Sequence, residues 1–253
     1  MTLKKYLIHT LKLKENLAFN NTRLVYGFYI LFFVASSFIF TLDYVLYALI
    51  FLLVIYDLFY SKIFINAYFL LIFIVSFFVI YFLLSPIINT NSFLILFFFF
   101  FLFSLFQSKN LNIYFSISVL IFLIIFLNIL QNDRDIVYIL LFCSFINDTS
   151  AYVIGRYLKG PKIIPLISPN KTWSGTVSSF LITTLIFFYF FDFDILHSLV
   201  ISSLFFFGDI YFSSIKRKFN LKDFSKSLKG HGGILDRLDS IFLSTFYLHI
   251  FII

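Results

Sequence analysis

The chain is organised around residues 208–239, which read GDIYFSSIKRKFNLKDFSKSLKGHGGILDRLD. This stretch holds seven of the nineteen basic residues and four of the twelve acidic residues, although apolar segments lie on both sides of it. Asp209, Ser213 and Lys216 are spaced at i, i+4 and i+7, which predicts a helix with all three on one stripe. Asp236 and Asp239 are three residues apart, which places them on a shared face of the next predicted helix.

A glycine-rich turn, Gly230-His231-Gly232-Gly233, separates these two predicted helices. Because glycine lacks a Cβ atom, the amide groups of such a turn can approach an anion closely. Carboxylates suit a hard cation such as Mg²⁺, and amines suit phosphate oxygens. The stretch therefore indicates phosphoryl-group chemistry.

The composition of the chain is that of an integral membrane protein. Hydrophobic residues make up 61% of the 253 residues and charged residues 12%, with a mean hydropathy of +1.01. A soluble domain is about half apolar and about a quarter charged. The apolar runs have helical lengths and lack strict alternation, which argues against a β-barrel. Cys143 is the only cysteine and cannot pair within the chain, so it is interpreted as a small buried residue.

Nine apolar segments predict an all-α, polytopic bundle of about nine transmembrane helices. They lie near residues 25–42, 44–60, 64–85, 93–107, 111–131, 136–155, 176–191, 195–213 and 237–253. The predicted regions are a cytosolic amphipathic segment (1–24), N-terminal transmembrane helices (25–131) and a C-terminal transmembrane region (132–253). The last region contains the candidate catalytic residues and two predicted cytosolic loops, 156–175 and 213–237.

Lysine and arginine residues are concentrated on one side of the predicted membrane. Alternate loops hold eighteen of them, five in residues 1–24, whereas the opposite loops hold Arg134 alone. This bias predicts a cytoplasmic N-terminus. Since topology and phosphate binding account for the net charge of +7, we expect no nucleic-acid partner.

A second polar constellation lies in residues 147–175. Asp148, Tyr152 and Gly155 are spaced at i, i+4 and i+7, which predicts a polar and small face turned into the bundle. Three of the four prolines lie in the following connection, which predicts a non-helical segment. Ser168 and Lys171 in this connection offer a hydroxyl group and a positive charge to phosphate oxygens.

Asp57 is a further acidic residue within an apolar segment, where ionisable groups are costly and usually functional. It lies near the end of its predicted helix and close to Lys62. We therefore interpret Asp57 as structural.

Both constellations resemble the phosphatidate cytidylyltransferases (CDP-diacylglycerol synthases), and the resemblance covers about residues 145–240. In the first stretch it is carried by Ser213-x-Ile215-Lys216-Arg217, Lys222-Asp223 and His231-Gly232-Gly233-x-x-Asp236-Arg237-x-Asp239. In the second it is carried by Asp148-x-x-Ala151-Tyr152-x-x-Gly155-Arg156 and Ile167-Ser168-Pro169-Asn170-Lys171-Thr172-Trp173. The family usually has Pro where Lys229 stands and Glu where Phe212 and Ser174 stand, so neither Phe212 nor Ser174 receives a role.

The resemblance implies transfer of the cytidylyl group of CTP to phosphatidate, giving CDP-diacylglycerol and pyrophosphate for phospholipid biosynthesis. It implies a multi-pass protein of the cell inner (plasma) membrane with its active site on the cytoplasmic side, and it suggests a homodimer. The charged residues fit this reaction, because two anions must meet and positioned cations reduce their repulsion. No general base is expected, since the attacking lipid phosphate is already an anion.

The candidate residues fall into three groups by expected role. The metal ligands, for one or two Mg²⁺ ions or a second cation, are Asp223, Asp236, Asp239 and Asp209. The basic catalytic residues, which bind the triphosphate or the lipid phosphate, are Lys216, Arg217, Lys222 and Arg237. The substrate-binding residues are Asp148, Tyr152, Arg156, Ser168, Lys171, Ser213, His231, Gly232 and Gly233.

Three other functions remain open from the sequence. A cytidylyltransferase acting on another lipid phosphate would share this chemistry. A catalytically impaired homologue would explain the absent carboxylates at Phe212 and Ser174. A transporter would place polar groups near the middle of the membrane, whereas here they cluster toward one face.

Overall fold

The computed structural model describes residues 29–63, 67–79, 90–106, 110–228 and 232–251. The predicted amphipathic segment 1–24 and the site candidate His231 lie outside these residues. Nine helices are present in the described part of the chain, and each overlaps one of the predicted apolar segments. They are α1 (Tyr29–Ile39), α2 (Asp43–Tyr60), α3 (Ala67–Val79), α4 (Thr90–Phe106), α5 (Leu111–Asn132), α6 (Arg134–Leu158), α7 (Trp173–Phe190), α8 (Ile195–Lys218) and α9 (Leu235–Phe251).

The predicted all-α class is confirmed, and the number of membrane crossings stays a prediction. Within the described residues, five helices are long and apolar enough to cross a membrane, namely α2, α5, α6, α7 and α8. Many large apolar side chains on the outside of the bundle are exposed, such as Leu52, Phe106 and Phe190. An apolar exterior of this extent is typical of a surface that contacts lipid.

Helix α5 forms the centre of the bundle. Most of its side chains are buried, and it contacts α4, α6 and α9 as well as α2 and α3. Aromatic rings fill the space between α5 and the C-terminal helices, with Phe122 of α5 5.1 Å from Phe242 of α9. The site helices therefore rest on a rigid apolar core.

The connection between α6 and α7 contains a β-hairpin that the sequence did not predict. Strand β1 (Lys162–Ile164) pairs antiparallel with β2 (Ser168–Thr172) in an irregular register. Thr172 then caps α7, because its side-chain oxygen accepts a hydrogen bond from the Gly175 amide at 3.2 Å. The predicted non-helical connection is thus a compact hairpin that leads directly into the next helix.

Polar contacts fix both ends of α2. Asp43, at its beginning, accepts hydrogen bonds from Arg134 at 3.1 Å and from Tyr138 at 2.8 Å. Asp57, near its other end, contacts the segment between α8 and α9. The α1–α2 and α5–α6 connections therefore meet at one end of the bundle, and the α8–α9 connection lies at the opposite end. The predicted alternation of loops places the first two connections on one side of the membrane and the α8–α9 connection on the other, and the observed grouping agrees with it.

Candidate active site

The hairpin and the α8–α9 connection meet at one end of the bundle through Arg217. Its Nε atom donates to the carbonyl oxygen of Ile167 at 3.0 Å, and its Nη1 atom donates to that of Leu221 at 2.8 Å. One residue further on, Lys218 Nζ donates to the carbonyl oxygens of Ser104 and Leu105 at the end of α4. Arg217 thus links the hairpin to the loop after α8, and Lys218 links the end of α8 to the end of α4.

The third basic residue, Lys216, forms the most buried ion pair among the described residues. Its Nζ atom lies 2.7 Å from Asp236 Oδ1, and the two side chains are 10% and 4% exposed. The other oxygen of Asp236 accepts from the backbone amides of Phe224 at 3.0 Å and Gly233 at 2.8 Å. Asp236 therefore holds the α8–α9 loop against both helices.

A second ion pair links the hairpin to α8. Lys171 of β2 contacts Asp209 of α8, and its ammonium group also lies 5.3 Å from the ring of Phe206. Ser213 Oγ donates to Asp209 Oδ1 at 3.4 Å, so these two residues of the predicted stripe lie on one face of the helix. Both side chains of the pair are about a quarter exposed, which leaves them open to a ligand.

A third ion pair links α6 to α9, where Arg237 Nη1 lies 3.3 Å from Asp148 Oδ2. Asp239, on the same helix as Arg237, is buried and forms no direct ion pair among the described residues. Its Oδ1 atom accepts from the Ser240 amide. Its strongest electrostatic neighbours are Asp209, Lys216, Asp148 and Arg237. Residues from the two distant constellations are therefore brought together around Asp239.

Gly208 allows α8 and α9 to approach each other at this point. A Cβ atom at position 208 would overlap the backbone carbonyl oxygen of Asp239. That oxygen belongs to the backbone of a buried helix, so it cannot move aside as a flexible side chain would. The absence of a side chain at Gly208 thus helps to place Asp209 beside Asp239.

Several predicted site residues lie away from this centre. Tyr152 and Arg156 are exposed on α6 and hydrogen-bond to each other at 3.0 Å. The predicted inward face is right for Gly155, which is buried, and wrong for Tyr152, which is 50% exposed. The side chain of Asp148 is itself about a third exposed, so it lies at the edge of the inward face, and a step of about 40° beyond a full turn is enough to leave Tyr152 outside that face. Lys222 and Asp223 are exposed in the loop after α8.

The described residues contain no group of three or more His, Cys, Asp or Glu side chains arranged to hold a metal ion. Asp236 is already bound by Lys216 and two amides, and Asp223 is exposed. Mg²⁺ is usually held by one or two carboxylates together with substrate phosphates and waters. Asp239 and Asp209, two neighbouring carboxylates, fit that smaller ligand set.

The sequence matches the family model described as Cytidylyltransferase family over residues 7–253. The chain belongs to the cytidylyltransferase family. Among similar proteins is the phosphatidate cytidylyltransferase of Rickettsia conorii, 38% identical over 148 residues, which are 52% of this chain and 64% of that protein. The phosphatidate cytidylyltransferases of Staphylococcus saprophyticus and Staphylococcus aureus are 41% and 43% identical over 105 residues, which are 38% of this chain and 40% of each protein. The chain thus covers less than two thirds of the length of these curated relatives.

The two positions where this cytidylyltransferase family member departs from the expected carboxylates have structural explanations. Phe212 is fully buried, and its ring lies 4.9 Å from that of Phe242 and 5.5 Å from that of Phe115. Ser174 Oγ accepts a hydrogen bond from the Gly160 amide at 3.2 Å, which ties the end of α6 to the start of α7. Phe212 therefore belongs to the aromatic core, and Ser174 belongs to the contact between the end of α6 and the start of α7.

Sequence reasoning missed the contribution of Asp57. Its carboxylate is fully buried and accepts hydrogen bonds from Ser225, Ser227 and the Leu235 amide. The signal was present, because an acidic residue in an apolar helix needs a polar partner. Lys62, which is close to Asp57 in sequence, is exposed and forms no ion pair with it.

Proposed function

We propose that the protein transfers the cytidylyl group of CTP to phosphatidate, giving CDP-diacylglycerol and pyrophosphate. The observation that carries the proposal is the convergence of four acidic and three basic side chains from α6, the hairpin, α8 and α9. Such a site can receive two anionic phosphates side by side. Family membership and the names of the relatives agree with this reaction.

The ion pairs divide into a structural pair and two exchangeable pairs. Lys216 and Asp236 are nearly inaccessible, so Lys216 supplies a fixed positive charge beside Asp239. Lys171 and Arg237 are 22% and 35% exposed, so phosphate oxygens can replace their carboxylate partners. We infer that Lys171 and Arg237 bind the incoming phosphates and orient them for attack.

In the proposed reaction a phosphate oxygen of the lipid attacks the α-phosphorus of CTP. The bond from that phosphorus to the bridging oxygen breaks, and pyrophosphate leaves with the electron pair. Mainly apolar side chains lie around Lys171, and such a surface suits contact with the lipid partner. They are Ile163, Ile164, Ile167, Phe206 and Ile210, with Ser168 as the polar neighbour.

We propose that Asp209 and Asp239 hold Mg²⁺ when the nucleotide is present. The ion would supply positive charge to the phosphates of the nucleotide. Asp239 supports this assignment, because it is a buried carboxylate with no direct ion pair among the described residues. We further propose that the site lies at the cytoplasmic edge of the inner membrane, and that this multi-pass protein functions as a homodimer.

Formation of CDP-lipid from labelled CTP by the purified protein tests the proposal. We expect product only when phosphatidate and Mg²⁺ are both present, with loss on chelation. Asp239→Ala abolishes product, whereas Asp192→Ala, which changes an acidic residue in the α7–α8 connection, retains it. Full activity of Asp239→Ala refutes the metal assignment. If product forms with an isoprenoid glycerol phosphate but not with phosphatidate, phosphatidate is not the acceptor.

A further inference from the structure

Asp57 connects three separate parts of the chain through one carboxylate. Its Oδ1 atom accepts hydrogen bonds from Ser225 Oγ at 2.6 Å and from Ser227 Oγ at 3.2 Å. Its Oδ2 atom accepts from the backbone amide of Leu235 at 2.9 Å. Asp57 lies near the end of α2, the two serines lie in the loop after α8, and Leu235 is the first residue of α9. The N-terminal half of the chain is thus joined directly to the candidate site.

The contact with Leu235 stabilises the beginning of α9. The first amides of a helix have no partner within the helix, and the N-terminal end carries a partial positive charge. A carboxylate from α2 satisfies one of these amides and complements that charge. Because Leu235 directly precedes Asp236 and lies four residues before Asp239, the same contact fixes where both side chains project.

The carboxylate is enclosed on the side of the glycine turn as well. A Cβ atom at position 233 would overlap the carboxylate of Asp57. Asp57 is fully buried, and no lysine, arginine or histidine of the described residues forms an ion pair with it. A buried charge is costly unless hydrogen bonds compensate for it, and among the described residues this compensation comes from the loop and from α9.

We propose that Asp57 is a positioning residue for the transfer reaction. It holds the α8–α9 loop and the first turn of α9 so that Asp236 meets Lys216 and Asp239 faces Asp209. Only the expected effect of Asp57 on the reaction rate rests on the proposed function. The anchoring of the loop by Asp57 can be tested without any assay of activity.

The matched control lies on the same helix. Asp43 is also a hydrogen-bonded aspartate of α2, but its partners Arg134 and Tyr138 are at the end of the bundle away from the site. Asp57→Ala and Asp43→Ala therefore each remove an aspartate with tertiary partners from α2. Only Asp57→Ala is expected to release residues 224–235.

The first measurement is amide hydrogen exchange of the full-length protein in detergent. We expect faster exchange of the peptide covering 224–235 in Asp57→Ala and unchanged exchange there in Asp43→Ala. Ser225→Ala, which removes the 2.6 Å hydrogen bond alone, is expected to give a smaller increase in the same peptide. Unchanged exchange in both Asp57→Ala and Ser225→Ala overturns the proposal whatever the activity of the protein.

The second measurement is steady-state formation of CDP-lipid per folded protein. A misplacement of about 1 Å at a reacting group lowers a rate by about 100-fold, so Asp57→Ala should lower kcat on that order with little change in KM for CTP. Asp57→Asn keeps an acceptor for Leu235 and should recover much of the lost kcat. Asp43→Ala should keep the kcat of the unchanged protein.

The outcomes separate this inference from the proposed function. Equal kcat per folded molecule in Asp57→Ala and in the unchanged protein means that Asp57 acts on stability alone, which overturns the positioning role. Absence of CDP-lipid formation by the unchanged protein refutes the proposed function, and the exchange data then still decide whether Asp57 anchors the loop. If Asp57→Ala does not fold, Asp57→Asn and Ser225→Ala provide both measurements.

Discussion

Replacing Lys216 with methionine tests how the site is held together. The ammonium group lies 2.7 Å from Asp236 Oδ1, and the two side chains are 10% and 4% exposed. Methionine preserves most of the apolar stem but removes the charge, so Asp236 stays buried without its counter-ion. Breaking a buried ion pair in this way costs about 3–5 kcal/mol. We therefore expect Lys216→Met to lower the free energy of unfolding by about that amount.

Asp236→Asn, which changes the other member of the pair, should lower the free energy of unfolding by less than Lys216→Met does. The losses of the two single variants should not add in the double variant. Asp236→Asn leaves Lys216 close to Asp239 and Asp209, which act on its charge electrostatically. We expect a loss of about 1–3 kcal/mol for Asp236→Asn, the usual penalty for an unsatisfied buried hydrogen-bonding group. In the double variant neither member of this pair remains as a buried charge that has lost its partner, so a coupling of about 2–3 kcal/mol should appear.

Unfolding in mixed micelles, followed by circular dichroism as SDS is added, measures these free energies. Lys226→Met is the matched control, because Lys226 is an exposed lysine of the same loop and surface changes usually alter stability by less than about 0.5 kcal/mol. Single-variant losses that add in the double variant would contradict the ion pair. CDP-lipid formation should stay absent in the double variant despite its recovered stability, since Lys216 also supplies charge to the site.

Three further changes probe the surroundings of the site. Gly208→Ala should separate α8 from α9 and reduce both stability and CDP-lipid formation, because the added methyl group overlaps the Asp239 carbonyl oxygen. Phe212→Glu should lower the yield of folded protein by placing a carboxylate in the aromatic core, as measured by size-exclusion chromatography. Arg217→Ala should make the 162–172 hairpin more accessible to proteases, because the bond to the Ile167 carbonyl oxygen is lost.

Each of these three predictions has an outcome that would contradict it. A Gly208→Ala protein with normal stability would show that the helices do not approach as described. Higher activity in Phe212→Glu would favour the catalytically impaired homologue, because the missing carboxylate would then be the defect. Unchanged proteolysis of the hairpin in Arg217→Ala, with Lys226→Ala as the control in the adjoining loop, would contradict the cross-link.

Local spacing predicted the parts of the site that lie within one helix. Helical periodicity alone placed Asp209 next to Ser213, and their side chains are 3.4 Å apart. It also placed Asp236 and Asp239 on one face, where both act on Lys216. The apolar segments were found for the same reason, since each is a continuous run whose helical length follows from its hydropathy.

The partner of each charged residue could not be predicted, because it depends on distances between elements far apart in sequence. Arg217 and Lys171 were both predicted to bind phosphate, yet Arg217 binds backbone carbonyl oxygens and Lys171 binds Asp209. Lys62 is close to Asp57 in sequence, but the buried partners of Asp57 lie at Ser225 and Leu235. Closeness in sequence therefore does not identify the partner of a charged side chain when that partner is set by tertiary packing.

The exposure of the three ion pairs indicates how the site changes when an anion binds. Lys216 and Asp236 exclude water and serve as a fixed point, whereas the other two pairs are between 22% and 35% exposed. In the proposed reaction a phosphate would therefore compete with Asp209 for Lys171 and with Asp148 for Arg237. Once released, Asp209 and Asp148 repel each other and the buried Asp239, which also interacts with both. Anion binding and cation binding at this site should consequently support each other, so we expect CTP, the proposed substrate, to bind more tightly when Mg²⁺ is present than when it is absent.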